Sequence, residues 1–260
     1  MFRTIGLGLA ALILAALAGA ADLHTAAAAA APVGGSGSPA DRATFEIKVH
    51  DKTIGTETIE IENTTDSLRV SSSSLQLLGS AGRDSLIKQT RLVATIEDLD
   101  MHAYASAQRF LGQVIERGVE CEDTLVHLST FADGRGEQDI VSRPPGRLFV
   151  IDAGSFVSFD LICRMLHGRA FLTRPVNMLV LGPRDTVVIA TLEDRGTETL
   201  RWGTAPTTAR RVELTDRSSR YTMWMDVQGR MLRLDNAWSG VRVERRPPPA
   251  RSAPKKSSGS

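Results

Sequence analysis

The chain is 260 residues long and carries 31 lysines and arginines against 30 aspartates and glutamates, a formal net charge of +1. That balance excludes a nucleic-acid binder of the electrostatic kind, and the length allows one large β domain or two small ones. Arginine outnumbers lysine and alanine is abundant, which reads as the coding bias of a GC-rich bacterium, not as a binding signal.

Residues 1–21 read as a secretory signal. Arg3 supplies the charged start, Ile5 to Leu17 is an unbroken apolar and small-residue run, and Ala18-Gly19-Ala20 offers the cleavage site. An uncleaved anchor is the alternative. The run is short for a transmembrane helix, and no cysteine follows it to take a lipid. The expected location is therefore periplasmic, with the signal removed. Residues 22–42 are rich in Ala, Gly and Ser and are expected to form a flexible leader. Residues 43–246 are expected to be a single β-rich domain. The tail, 247–260, is basic and Pro/Ser-rich; it is read as solvated, with peripheral contact to anionic headgroups as the sharper alternative.

The domain opens with a hairpin. Phe45, Ile47 and Val49 alternate with polar residues, His50 to Thr53 turn the chain, and Ile59 and Ile61 alternate on the return. A third strand starts at Leu68. Leu86 to Glu97 alternates over a long stretch, and Leu99 to Gln108 follows with Met101, Ala103 and Ala105 on one side and His102, Tyr104 and Ser106 on the other. Strands over 113–119 and 124–131 continue the meander, and Arg143-Pro144-Pro145-Gly146 breaks it.

Ser155 to Gly168 is the one convincing helix after the signal, predicted over about 155–167. At about 100° per residue, Asp160, Arg164 and His167 form a narrow polar stripe, and apolar residues fill nearly all the rest. So wide an apolar arc must be enclosed. Ser155 is placed as N-cap and Gly168 at C′, with Asp160 and Arg164 pairing on a wet stripe. Beyond the helix, strands are predicted at 178–181, 186–192, 197–202, 209–215, 221–225, 230–235 and 241–244. The fold class is mainly β: a curved antiparallel sheet or half-open barrel enclosing one apolar helix.

Little chemistry is written in the motifs. There is no H-E-x-x-H, G-x-S-x-G or C-x-x-C, and no metal, cofactor or catalytic residue is assigned. Glu120, Glu122 and Asp123 around Cys121 read as a polar turn. Cys121 and Cys163 are permitted to pair by export, or else remain two free thiols. Trp202, Trp224 and Trp238 read as core, or as the wall of a ligand site, with Trp202 the best candidate because it precedes a glycine.

Tyr221 to Asp235 carries W-x-D-x-x-G-R-x-L-R, a β-hairpin with Asp226 capping the turn and Gly229 closing it. This signature resembles the C-terminal hairpin of the bacterial lipoprotein-localisation-factor superfamily and of uncharacterised periplasmic domains grouped near it. Gly55-Thr56-Glu57 is similar to the G-x-E motif those domains show near their start, and the helix followed by Arg174-Pro175 lies where they place the helical plug of the half-barrel. The resemblance, over about Phe45 to Val243, implies a half-open barrel whose concave face binds acyl chains.

The functional expectation is an exported, non-enzymatic binding protein carrying a lipid, lipoprotein or other amphiphile. Phe156, Phe159, Ile162, Met165 and Leu166, with Trp202 and Trp224, are the candidate ligand-binding residues, and the helix is expected to shift to admit an acyl chain. The alternative is a structural or interaction module that recruits an envelope protein. A hydrolase with an unrecognised site is the third reading. A cavity at the helix favours the first, a solid core with an exposed edge strand the second, and a cleft with convergent carboxylates or histidine the third.

Overall fold

The computed structural model describes residues 41–79, 84–203 and 205–248. The signal segment 1–21, the leader up to residue 40 and the tail from residue 249 lie outside the described residues. The described residues form one sheet of fifteen strands. β1 (Asp41–Val49), β2 (Lys52–Asn63), β3 (Ser67–Leu78), β4 (Asp84–Thr95) and β5 (Met101–Phe110) run as a meander, followed by β6 (Gln113–Cys121), β7 (Leu125–Ala132) and β8 (Arg135–Ser142). β9 (Leu148–Asp152) leads into the helix α1 (Val157–Met165). β10 (Thr173–Leu181), β11 (Thr186–Trp202), β12 (Ala205–Thr215), β13 (Arg220–Met225), β14 (Met231–Asn236) and β15 (Val241–Arg245) complete the chain.

The spatial order runs β8 through β1, then β15 down through β9. Every neighbouring pair is antiparallel except β9 with β10, which are parallel and joined by α1. The last strand closes onto the first through Phe45–Val49 against Val241–Arg245. β8 and β9 are consecutive in the chain yet sit at opposite ends of the sheet, so the sheet curls until its two edges approach without joining. Bulges at Ile47/Lys48, Val93/Ala94, Asp194/Thr197 and Trp224/Met225 supply the bends. Arg117 ties one half to the other, donating to Asp185 Oδ1 (3.0 Å) and to the Gly182 carbonyl (3.1 Å) in the β10–β11 turn.

The core fills the concave face, where α1 packs chiefly on β14, β9 and β13. A separate apolar group, Leu200, Ala209, Trp224 and Leu232 with Trp202, forms on the opposite face. It arises because β11 is a single bent strand of 17 residues where two strands were expected. Gly196, at φ 79°, sits in its bulge, and the distal half of the β11–β12 hairpin covers the sheet's other side. β8 and β9 were not anticipated. β8 has no apolar alternation, and β9 is a continuous apolar run buried in a parallel pair. Asp41 and Arg42, assigned to the leader, already belong to β1 opposite Ile61 and Glu60.

Candidate functional site

The helix sits deeper than its pattern required. Phe159, Ile162, Met165 and Leu166 are all buried, Phe156 is half-buried against them, and Phe159 meets the Tyr221 ring at 4.8 Å between centroids. The stripe expected to be wet is also enclosed: Asp160 is 1% exposed. Its Oδ1 accepts from the Met231 backbone N–H (2.9 Å) and from Arg245 (3.3 Å), and its Oδ2 from Arg164 Nε (2.7 Å). Arg164 and Arg245 also both reach Asp41. The bulge at Trp224/Met225 lifts the Met231 N–H out of the ladder, and the helix carboxylate satisfies it.

The helix N-terminus is capped from the sheet. Ser155 does not act as N-cap; the first residue of the cap is Phe156, with no side-chain cap of its own. Glu57, fully buried on β2, accepts from the Phe156 N–H (2.8 Å) at Oε2 and from the Ser155 hydroxyl (3.0 Å) at Oε1. Burial pushes the Glu57 carboxyl above its ordinary 4.5, against the pull of Ser72, Phe156 and Ser155. The two motifs behind the family resemblance therefore hold the helix at two points. Gly55 lets β2 approach β3 so closely that a Cβ there would lie 2.1 Å from the Leu75 carbonyl oxygen. Gly229, at φ 77°, seats the hairpin turn against His167 and the Cys163 carbonyl.

Beside Glu57 lies a buried polar group that holds the β9–α1 loop. Lys88 Nζ pairs with Asp152 Oδ1 (2.6 Å) and donates to the Ala153 carbonyl (2.7 Å). The Tyr104 and Ser106 hydroxyls donate to Asp152 Oδ2 at 2.7 and 2.8 Å. Ser74 and Gln76 donate to the Gly154 carbonyl. Burial lowers the Lys88 pKa although Asp152 opposes it, and burial with Asp152 raises that of Tyr104 well above its usual range. The loop carbonyls and Asp152 engage the ammonium, so the arrangement fastens the loop to the sheet. Tyr104 and Ser106 face inward here, with the phase of β5 set by the bulge at Val93/Ala94.

A cleft of about 660 Å³ opens at the other end of the helix. Its walls include Asp98, Asp100, Asp123, the Arg143–Arg147 link between β8 and β9, and Arg174, Val176, Asn177 and Ile189 of the β10–β11 side, with Met165 of α1. Arg143 is engaged by both oxygens of Asp100 at 2.6–2.7 Å. The cleft touches only Met165 among the helix residues expected to line a site.

The other expected residues lie elsewhere. Trp202 and Trp224 are on the opposite face of the sheet, where Trp202 Nε1 donates to the Arg245 carbonyl (2.6 Å) and Trp224 Nε1 to Glu198 (2.5 Å). They form no wall with α1, because alternation along β13 sends Met223 and Met225 inward and Trp224 out. Cys121 and Cys163 are not bridged: Cys163 packs 4.0 Å from Met223 Sδ, while Cys121 lies half-buried on β6. Among the described residues no three His, Cys, Asp or Glu side chains form a metal-sized group, and no helix is long and apolar enough to cross a membrane. Lys88 and Asp152 were missed, although a lysine in register with Leu86, Leu92 and Ala94 on an alternating strand was a readable signal.

No family model matches the chain, and no curated protein matches it. Among solved structures, the chain is similar to a beta-barrel-like protein of domain of unknown function DUF1849 from Brucella abortus. The TM-score is 0.51 at 9% identity, over 79% of this chain and 94% of that one. At that identity the likeness is one of fold: the chain is a barrel-like β protein, an open curved sheet with one short helix.

Proposed function

We propose that the protein is an exported, non-enzymatic binding protein of the half-barrel kind found in the lipoprotein-localisation-factor superfamily, holding an acyl chain or similar amphiphile at the end of α1. The observation that carries this reading is the cleft of about 660 Å³ reaching Met165, a volume within the roughly 300–1,000 Å³ of small-molecule sites. Val176 and Ile189 add apolar lining, and Ile189 is 69% exposed. The anchoring of the helix by Glu57 and by the 226–231 turn supports the family reading. Export and a periplasmic location rest on residues 1–21.

The test is to express the full-length chain, purify it without detergent, and run native mass spectrometry with lipid extraction. A co-purifying phospholipid, fatty acid or lipopeptide supports the carrier, and Ile189→Asp, a surface change, should deplete it. A clean mass that stays clean after incubation with lipids refutes it.

The second reading is an envelope interaction module, and β8 favours it. This edge strand is exposed at every residue but Val141, with Ile140 57% exposed and one side of its ladder unpaired. An extended segment of an envelope protein would add to that edge. Crosslinking from β8 in cells that finds no protein partner would remove this reading.

A further inference from the structure

The mouth cleft at the helix end holds two arginines that the rest of the molecule engages at long range or not at all. Most of the chain's buried or half-buried arginines have carboxylate partners: Arg143 with Asp100, Arg164 and Arg245 with Asp160 and Asp41, Arg210 with Asp194. Arg174 has none among the described residues, and Arg147 has only a long one. Among the described residues, Arg174 makes no ion pair and no side-chain hydrogen bond. Arg147 comes no nearer than 3.9 Å to Asp98, and its Nε is buried without a hydrogen-bond partner. The Thr95 hydroxyl and the Asp100 N–H both donate to Asp98 Oδ1, so Arg147 meets Asp98 only through Oδ2, across that longer gap.

The two side chains come from different parts of the sheet, Arg147 from the β8–β9 link and Arg174 from β10, and both line the cleft. Arg174 also lies in the field of Arg169, just beyond the helix. Its guanidinium is pressed by burial first and then by these two like charges, all of which disfavour the charge it carries. Like charges held together with only one distant carboxylate between them are costly, and a planar guanidinium matches the paired oxygens of a phosphate or carboxylate. The cleft lining also includes the apolar side chains of Met165, Val176 and Ile189. Asp98, Asp100 and Asp123 also line the cleft; Asp100 is paired with Arg143 and Asp98 faces Arg147, so an anion is favoured at the guanidiniums of Arg147 and Arg174 alone.

We propose that Arg147 and Arg174 form an anion subsite of the mouth cleft that takes the phosphate or carboxylate head of an amphiphile whose apolar part runs toward Met165 and Ile189. The apolar half rests on the carrier reading above; capture of the anion by two guanidiniums does not. The site thus selects an acidic amphiphile over a neutral one with the same chain.

The full-length protein is titrated at low salt with three probes: inorganic phosphate, a lysophosphatidic acid below its micelle concentration, and a monoacylglycerol of the same chain length. Binding is read by calorimetry. Arg147→Gln, Arg174→Gln and the double variant are compared with Arg109→Gln, a change at an exposed arginine of β5 outside the cleft. Near-UV circular dichroism checks that each variant is folded.

The expected result is lysophosphatidic acid binding at least about tenfold more tightly than the monoacylglycerol, with that preference lost in the double variant and kept in Arg109→Gln. Equal binding of inorganic phosphate and the lipid, lost in the double variant, supports the subsite and overturns the carrier reading. Equal binding of the two lipids, indifferent to both arginines, overturns the subsite and leaves the carrier standing. Absence of binding by all three probes overturns both.

Discussion

Replacing Glu57 with alanine withdraws the acceptor for two buried donors, the Phe156 N–H and the Ser155 hydroxyl. An orphaned buried donor costs about 1–3 kcal/mol, and the hydroxyl, free to rotate, falls at the low end. The loss expected is about 3 kcal/mol, which for a domain of this size lowers the melting temperature by roughly 6–12 °C. Glu57→Gln behaves differently. Burial raises the Glu57 pKa, so the folded state keeps a proton that the unfolded state releases near 4.5. More protons are bound folded than unfolded, and stability therefore falls as pH rises from the unfolded value through the folded one, at most about 1.4 kcal/mol per pH unit. Glutamine mimics the protonated acid: its oxygen accepts from Phe156 and its amide donates to Ser155, whose hydroxyl can reverse. The variant should match the wild type near pH 5 and equal or exceed it by pH 8. Urea unfolding followed by tryptophan fluorescence, stepped from pH 4.5 to 8, measures both. Parallel pH curves for wild type and Glu57→Gln would refute the raised carboxyl pKa, and an alanine cost under about 0.5 kcal/mol would refute the capping role.

Asp160→Ala leaves the Met231 N–H and two arginines without their shared partner in a buried site, so unfolding free energy should drop by about 3–5 kcal/mol; a drop under about 1 kcal/mol in urea would contradict the network. Gly55→Ala puts a methyl 2.1 Å from the Leu75 carbonyl oxygen and must prise β2 from β3; a loss of roughly 1–3 kcal/mol is expected, and a thermal melt unchanged from wild type would contradict the close approach. Burial pushes the Cys121 thiol to about 11 and that of Cys163 well above its usual range. Ellman's reagent at pH 7.5 should find two thiols in denaturant and react far more slowly with the native protein. Prompt native labelling of Cys121, or a missing thiol in denaturant, would overturn this.

The β-rich architecture was legible because most strands alternate and their turns carry strong signals: His50 and Asp51 adopt the left-handed conformation at the β1–β2 turn. The helix was legible from its apolar arc. What encloses it was not, because the partners of Asp160 lie up to 85 residues away, as Arg245 does, and no local pattern reports such a pairing. Ser155 has the chemistry of an N-cap, but a carboxylate 99 residues upstream of Phe156 takes that role. Alternation misleads where the inside is polar: along β5 the inward residues are Tyr104 and Ser106 because Asp152 waits opposite them. Trp202 shows the limit for site prediction. The glycine after it, at φ 62°, turns β11 into β12, while the bulge at Gly196 upstream has already carried the indole to the far side of the sheet.

The same anchors bear on how an amphiphile could be held. Sequence pattern alone suggested a helix that shifts aside to admit an acyl chain. Removing Phe159, Leu161, Ile162 and Leu166 from the core would expose four buried side chains, at roughly 1.5–3 kcal/mol each. Breaking the Asp160 and Glu57 contacts adds about as much again. An acyl chain of about sixteen methylenes returns roughly 13 kcal/mol at best if fully buried, which only just covers the low end of that total and leaves almost nothing for binding. The chain should therefore lie in the mouth cleft beside a standing helix. Hydrogen exchange measured with and without a bound lysophosphatidic acid decides the point. Protection should rise over 143–147 and 174–189 and stay unchanged over 157–166. Faster exchange of the α1 amides on binding would show that the helix gives way, and that the anchors are weaker than their geometry implies.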